Sequence, residues 1–182
     1  MHMRYHISFV VKGFCRKGGF SIFHEKSKFS MDLRDSGESL FARKGVLNKR
    51  DGDKLVDQAL EEIFRDAEKL YEDALNELEG GRVRDAAEKA WGATVRATDA
   101  LILARMGERP VRIDLTTRRL HELALKDPEV DEKLVGRYHT RQDFLHGICF
   151  YMGVCEPLDS IVRRIKETKD YINDARKLAK RI

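Results

Sequence analysis

The sequence predicts an all-α protein, and three observations lead to this fold class. From Asp53 onward, apolar residues recur at steps of three and four, which is the period of a helix with one buried face. Glycine or proline stands at each boundary between these periodic stretches. The sequence has neither a glycine-rich phosphate loop nor an alternation of strand and helix patterns. We therefore expect an up-and-down bundle of four long helices plus one short helix.

The first two predicted helices, 53–79 and 83–105, form an antiparallel hairpin around the turn Gly80-Gly81. The first helix has an apolar stripe along one face. The second has a seam of alanines, which permits close approach of a partner helix. The seam consists of Ala86, Ala90, Ala93, Ala97, Ala100 and Ala104.

The third predicted helix is short, and the fourth and fifth are long. They span residues 115–126, 128–152 and 158–181. Asp114 is the expected N-cap of the third helix and Asp127 that of the fourth, because a carboxylate at the N-cap accepts hydrogen bonds from the free backbone N–H groups of the first turn. Pro128 is tolerated in the first turn of the fourth helix, and Pro157 opens the fifth.

Residues 1–50 differ from the helical domain, 51–182, because they carry 11 Lys/Arg against 4 Asp/Glu. Two β-type runs, 5–11 and 20–24, flank a glycine-containing turn signal. We expect a basic N-terminal arm or a short β-hairpin, which either contacts nucleic acid through phosphates or keeps the chain soluble. Because Met31 is in frame, it remains open whether the natural protein starts at Met1 or downstream, at Met31.

Composition narrows the class of protein. No apolar run approaches 18 residues and the N-terminal apolar patch is too short for a signal peptide, so we expect a cytoplasmic protein without a membrane span. Cys15, Cys149 and Cys155 are odd in number and lack metal-ligand spacing, which argues against a disulfide framework and against structural zinc. Neither a cofactor nor a metal site is expected.

The main candidate site is the pair Arg141 and His146 on the fourth predicted helix. Arginine holds a phosphate by bidentate hydrogen bonds, and histidine moves a proton near neutral pH, so the pair can perform phosphate chemistry without a metal. At 100° per residue the two side chains are about 140° apart around the helix axis. A second copy of the chain, or a local distortion of the helix, would be needed to bring them together.

Neighbouring polar residues extend the candidate site. Asp143 and Gln142 precede His146 by three and four residues, so either is expected to hydrogen-bond the imidazole and fix its tautomer. Further candidates would hold phosphate or stack on RNA. These RNA-binding candidates are Arg137, His139, Gln142 and Tyr151. The structural alternative is that these side chains pack in the bundle, pair with surface acids or form a solvated face.

Three features together resemble a known superfamily. The second helix of the hairpin begins with 85–93 (DAAEKAWGA), Arg141 and His146 fit an Arg-x4–6-His signature, and 145–153 (LHGICFYMG) is similar to a Leu-His-x-Asn-Phe-Tyr-Glu-type stretch. The chain resembles the HEPN superfamily of helical bundles over residues 53–180. Within that superfamily it is most similar to the archaeal paralogous-repeat (PaREP-type) branch.

The resemblance implies a function. Many HEPN proteins are metal-independent ribonucleases, often toxins or defence components, that act as dimers. By this resemblance, His146 would be the general base or acid for attack of a ribose 2′-hydroxyl on the adjacent phosphate. Arg141 would stabilise the phosphorane-like transition state. A homodimer would place both Arg/His pairs in one RNA-binding cleft.

Two alternatives remain open at this point. Other HEPN members are non-catalytic, so the chain is alternatively a module that binds a nucleotide, RNA or a partner such as a nucleotidyltransferase, without turnover. The second alternative is a purely structural oligomerisation bundle, which predicts a buried His146 with all its hydrogen bonds satisfied.

Overall fold

The computed structural model describes residues 49–180, with side chains from residue 54 onward. This part consists of helices and their connecting turns, without a strand, which confirms the all-α class for the described residues. None of its helices combines the length and the apolarity that crossing a membrane requires. The basic arm or hairpin expected in residues 1–50 lies outside the described residues, except that its last two positions belong to the first helix.

The elements follow the predicted order, but the two last predicted helices are subdivided. The first three helices are α1 (Lys49–Glu79), α2 (Val83–Met106) and α3 (Ile113–Ala124). A continuous helical stretch follows, made of α4 (Pro128–Val130), π1 (Asp131–Val135), α5 (Gly136–Arg141) and π2 (Gln142–Tyr151). The chain ends with α6 (Leu158–Lys166) and α7 (Thr168–Ala179).

The α1–α2 hairpin forms as the alanine seam predicts. Gly81 in the connecting turn has a φ of 75°, a left-handed conformation that glycine adopts without steric cost. The first five alanines of the seam have no exposed surface, and on α1 Phe64, Ala67 and Ala74 are buried as well. α2 is the central helix of the fold, because it packs against α1, α3, π2 and α7.

Two of the predicted caps can be compared with the structure. Asp127 caps α4, since its side chain accepts a hydrogen bond from the Glu129 amide at 3.1 Å. The prediction of Asp114 as the N-cap of α3 is wrong, because α3 begins at Ile113, two residues before the predicted start, and Arg112 occupies the cap position. Asp114 lies in the first turn, and its carboxylate accepts a hydrogen bond from the Arg112 Nε at 2.9 Å.

The stretch 128–151 departs from the regular α-helix that its sequence predicts. In π1 and π2 backbone amides bond to the carbonyl five residues back, as the Met152 amide does to the Gly147 oxygen at 3.2 Å just after π2. Such segments are rare and frequently occur at functional sites. The fifth predicted helix breaks at Glu167, beside which the Thr168 hydroxyl donates to the Arg164 backbone oxygen at 3.0 Å.

A disulfide joins Cys149 of π2 to Cys155, although the number and spacing of the cysteines argued against a disulfide framework. The chain reverses between them at Gly153, whose φ is 74°, and this brings the two Cα atoms to 4.3 Å. The sequence separation of six residues did not indicate this reversal, because it depends on where π2 ends. The disulfide fastens the end of π2 to the turn that leads into α6.

Candidate functional site

His146 lies on the face of π2 that contacts α2, and Glu88 of α2 is its hydrogen-bond partner. The Nδ1 atom of His146 is 2.6 Å from the Glu88 Oε2. A carboxylate accepts hydrogen bonds, so Nδ1 carries a hydrogen in this contact, and in the neutral imidazole Nε2 is then the nitrogen with the lone pair. Nε2 makes no hydrogen bond within residues 54–180, and the His146 side chain is 24% exposed. The imidazole is therefore oriented and accessible.

Aromatic rings surround the His146 imidazole. The ring centroid of Trp91 lies 5.7 Å away, that of Phe150 lies 6.2 Å away and nearly parallel, and that of Tyr151 lies 4.7 Å away and nearly perpendicular. Trp91 is buried, whereas Tyr151 is 66% exposed. The imidazole is thus held between a fixed ring of the core and a solvent-facing tyrosine.

His146 and Glu88 line a cleft of about 550 Å³ between α1, α2 and the segment that leads into α3. This volume lies in the range of small-molecule sites. Three arginines line it: Arg96, Arg109 and Arg112. Arg96 pairs with an aspartate of α1 at 2.9 Å, and Arg112 pairs with Asp114. Arg109 makes no ion pair or hydrogen bond within the described side chains, so its guanidinium is available to an anion.

The carboxylate of Asp99 is buried in the wall of the same cleft. Its side chain is only 4% exposed and accepts a hydrogen bond from the Thr116 hydroxyl at 2.7 Å. Burial raises the pKa of Asp99, and the Thr116 hydrogen bond and the charges of Arg109 and Arg96 oppose this shift. The cleft therefore combines cationic side chains with a partly compensated buried acid.

Arg141 does not reach this cleft, although the sequence pairs it with His146. Its side chain is 1% exposed, and it donates hydrogen bonds to the Thr168 hydroxyl at 3.2 Å and to the Arg137 and Arg164 backbone oxygens. The guanidinium also lies 5.5 Å from the centre of the Tyr171 ring. Burial lowers the pKa of Arg141 to about 10, so it remains a cation at neutral pH. A local distortion of the helix was one of the two ways in which Arg141 and His146 could have been brought together. The helix is distorted, but the distortion leaves the two side chains apart.

Arg137 is placed with Arg141 rather than with His139. Its guanidinium pairs with Asp174 of α7 and lies 5.4 Å from the centre of the Tyr171 ring. Arg137 and His139, two of the RNA-binding candidates, therefore contact different elements.

The other predicted polar residues make no side-chain hydrogen bond to His146, although Gln142 and Asp143 line a second pocket with it. His139 Nδ1 is 3.2 Å from the Gln142 Oε1, and His139 Nε2 is 2.9 Å from the His121 Nε2. Asp143 is exposed and makes no hydrogen bond or ion pair within the described side chains. The expectation that Gln142 or Asp143 orients His146 is wrong, because Glu88 does so. Of the predicted site residues, Tyr151 makes a ring contact with His146.

Sequence reasoning missed Glu88 and the cleft arginines. Glu88 lies 58 residues before His146, so no local spacing connects them. The available signal was the stretch 85–93, which carried the family resemblance and includes Glu88 among buried alanines. Arg109 and Arg112 lie in the short connection between α2 and α3, where charged residues are commonplace and have no distinctive pattern.

Within the residues whose side chains are described, no three His, Cys, Asp or Glu side chains are grouped so that they could hold a metal ion. The chain matches no model of a known protein family. A comparison with curated proteins likewise gave no match.

Proposed function

We propose that the chain is a metal-independent RNA endonuclease in which His146, oriented by Glu88, transfers the proton. One observation carries this proposal: the carboxylate of Glu88 orients an accessible imidazole whose Nε2 has no hydrogen-bond partner among the described residues, at the edge of an arginine-lined cleft. An imidazole oriented by a carboxylate is the usual arrangement of a general base. The resemblance to HEPN ribonucleases supports RNA as the substrate.

The chemistry requires one proton acceptor and one cationic group. Nε2 of His146 takes the proton of a ribose 2′-hydroxyl, and the 2′-oxygen attacks the adjacent phosphorus. The bond between phosphorus and the 5′-oxygen breaks, and the leaving oxygen takes a proton from solvent. The products are a 2′,3′-cyclic phosphate and a 5′-hydroxyl. Glu88 stabilises the imidazolium that forms during the attack.

Arg109 is the best-placed group for the phosphate. It lines the same cleft as His146 and makes no ion pair with the described side chains. A guanidinium binds the non-bridging oxygens of a phosphate and stabilises the charge that accumulates on them in the transition state. In this proposal Arg109 takes the role expected for Arg141, whose donors bond to the protein itself.

We further propose that the protein is a homodimer of up-and-down bundles, as in the HEPN family. Four apolar side chains between the end of π2 and the start of α6 are at least half exposed. They are Tyr151, Met152, Val154 and Leu158. An exposed apolar stretch beside a candidate site is typical of an interface. Light scattering should give the mass of a dimer for the wild type and of a monomer for Met152→Glu.

A second candidate is a non-catalytic module that binds a nucleotide, RNA or a nucleotidyltransferase. The burial of Arg141 favours it, because the cation of the family signature is not available to a substrate. A purely structural bundle is disfavoured. It predicts a buried and fully bonded His146, whereas the side chain is partly exposed and bonds to the described residues through one nitrogen only.

RNA cleavage in EDTA tests the proposed function. The full chain is incubated with a 5′-labelled oligoribonucleotide and, separately, with a DNA of the same sequence. We expect products ending in a 2′,3′-cyclic phosphate from RNA only, because DNA lacks the attacking hydroxyl. His146→Ala should lower the rate about 100-fold or more, which is the usual contribution of acid–base catalysis. His121→Ala is the matched control, since it removes a histidine outside the cleft.

The outcomes separate the candidates. RNA binding without cleavage, weakened by Arg109→Ala, would support the binding module. Equal cleavage by wild type and folded His146→Ala would contradict the assigned role of His146.

A further inference from the structure

The disulfide closes a short loop in the chain shortly after His146. We call the chain from Cys149 to Cys155 the disulfide loop. Phe150 and Tyr151 lie inside it, and their ring centroids are 6.2 and 4.7 Å from that of the His146 imidazole. The disulfide therefore closes the segment that supplies two of the aromatic neighbours of His146.

Apart from the disulfide, few contacts hold the second half of the loop. Met152 and Val154 are 73% and 50% exposed, so their side chains bury little apolar surface. The Met152 amide bonds to the Gly147 oxygen at 3.2 Å, and the Val154 amide bonds to the Ile148 oxygen at 3.1 Å. Hydrogen bonds at a helix end open readily. Without the disulfide, these two bonds would be the main restraint on the end of π2.

The two cysteines are unequally accessible to a reductant. Cys149 has no exposed surface, whereas Cys155 is partly exposed. A dithiol reductant attacks as its thiolate. Its sulfur forms a bond with the Cys155 sulfur while the bond between the two cysteines breaks, and the released Cys149 thiolate takes a proton from solvent. The second thiol of the reductant then loses its proton and displaces Cys155, which takes up a proton. The protein gains two thiols, and the reductant becomes a disulfide.

We propose that this disulfide is a reversible redox switch for the surroundings of His146. In the oxidised chain it holds Phe150 and Tyr151 beside the imidazole. Reduction by a dithiol frees the second half of the disulfide loop, so the last turn of π2 opens and Tyr151 leaves the imidazole. The Cys149 thiol stays in the core, where a free cysteine packs as a small apolar side chain. The rest of the helical domain therefore remains folded.

The switch goes beyond the proposed nuclease and does not depend on it. The opening of the loop is a property of the fold, and it is measured without RNA. Slower cleavage in the reduced chain is a separate consequence, because the imidazole of His146 loses part of its support. If the chain does not cleave RNA, the measurement on the loop still decides the switch.

Hydrogen–deuterium exchange, read by mass spectrometry, tests the switch in the full chain. Cys15→Ser is introduced first, because Cys15 is the third cysteine and would exchange with the pair. One sample is kept oxidised, and the other is reduced with dithiothreitol. We expect the amides of residues 152–156 to exchange about 10-fold faster or more after reduction, since a disulfide typically restrains a chain by more than that factor. The amides of α2 should not change.

Cys155→Ser in the same background is the matched control. It cannot form the disulfide, so residues 152–156 should exchange fast with and without dithiothreitol. In the chain that keeps the pair, oxidised glutathione added after removal of dithiothreitol should restore slow exchange. Equal exchange of residues 152–156 in the oxidised and reduced chains would overturn the proposal. So would alkylation of both cysteines by iodoacetamide without a reductant, or a loss of protection throughout α2 on reduction.

Discussion

Arg141 and His146 lie five residues apart on one continuous helical stretch, but their environments differ. The Arg141 side chain is enclosed by α6 and α7, and its hydrogen bonds go to a threonine and two backbone oxygens. The His146 side chain faces α2, pairs with Glu88 and borders an open cleft. The first environment is that of a buried cation held by the protein, and the second fits the proton-transfer role that we propose for His146.

The difference shows that a motif spacing does not define a site. Two residues can satisfy a sequence signature and still be directed to opposite neighbours by the packing of the helix that carries them. The partner that matters for His146 is Glu88 on α2. Substitutions at Arg141 and His146 whose effects on stability and on activity are measured separately therefore test this comparison most directly.

The largest expected effect is on stability, at Arg141. Arg141→Ala removes a large buried side chain with three hydrogen bonds, and we expect the free energy of unfolding to fall by about 3 kcal/mol. Arg141→Met fills most of the space and removes a desolvated charge, so its loss should stay within about 1 kcal/mol. Urea unfolding of both variants measures this. Equal and negligible losses would show that Arg141 does not support the core.

At His146 we expect the opposite pattern. His146→Ala should change the free energy of unfolding by less than about 1 kcal/mol, because its side chain is partly exposed. The rate of RNA cleavage should fall about 100-fold. Urea unfolding and the EDTA cleavage assay on the same preparation check both parts. A large loss of stability would place His146 among the structural residues.

Glu88→Gln tests the orientation of the imidazole with a smaller change. The amide keeps the shape of the side chain but loses the charge that stabilises the imidazolium, so we expect cleavage to slow by about 10-fold or more. The rate measured across pH is the check. Glu77→Gln is the control, since Glu77 pairs with Arg82 away from the cleft. An unchanged rate in Glu88→Gln would remove Glu88 from the site.

The smallest expected effect is at Asp99. Burial raises the pKa of Asp99 in the folded chain. Between the ordinary carboxyl pKa and this raised pKa, the folded chain therefore keeps a proton on Asp99 that the unfolded chain has released. The contribution of Asp99 to stability is therefore full on the acid side of this window and is lost as pH rises through it. Asp99→Asn does not titrate and can still accept the Thr116 hydrogen bond.

We therefore expect Asp99→Asn to gain stability relative to the wild type as pH rises through the window. Urea unfolding of both proteins across pH measures the difference. A difference that shrinks or reverses as pH rises would show that Asp99 is stabilised in its charged form.

Periodicity predicted the parts of the fold that local sequence determines. The alanine seam on α2 predicted the hairpin with α1, because small residues at steps of three and four specify one contact face. Asp127 predicted the start of α4 for a similarly local reason. The π segments and the break at Glu167 were not predictable, since they depend on how 128–151 packs against α2 and on the bonds that Thr168 makes.

The site was less predictable than the fold. His146 was identified from the residue type and its resemblance to a signature, but its partner and the cleft arginines come from α2 and from the connection to α3. Contacts across 58 residues leave no periodic pattern in one sequence. The burial of Arg141 was hidden for the same reason, because α6 and α7 cover it.

The most direct test of the account compares RNA cleavage in EDTA by Arg141→Met and His146→Ala, with folding verified for both. The account predicts that Arg141→Met cleaves within a few-fold of the wild type, whereas His146→Ala is slower by about 100-fold. A folded Arg141→Met protein that has lost cleavage would contradict it, and would return Arg141 to the catalytic role that its spacing from His146 suggested.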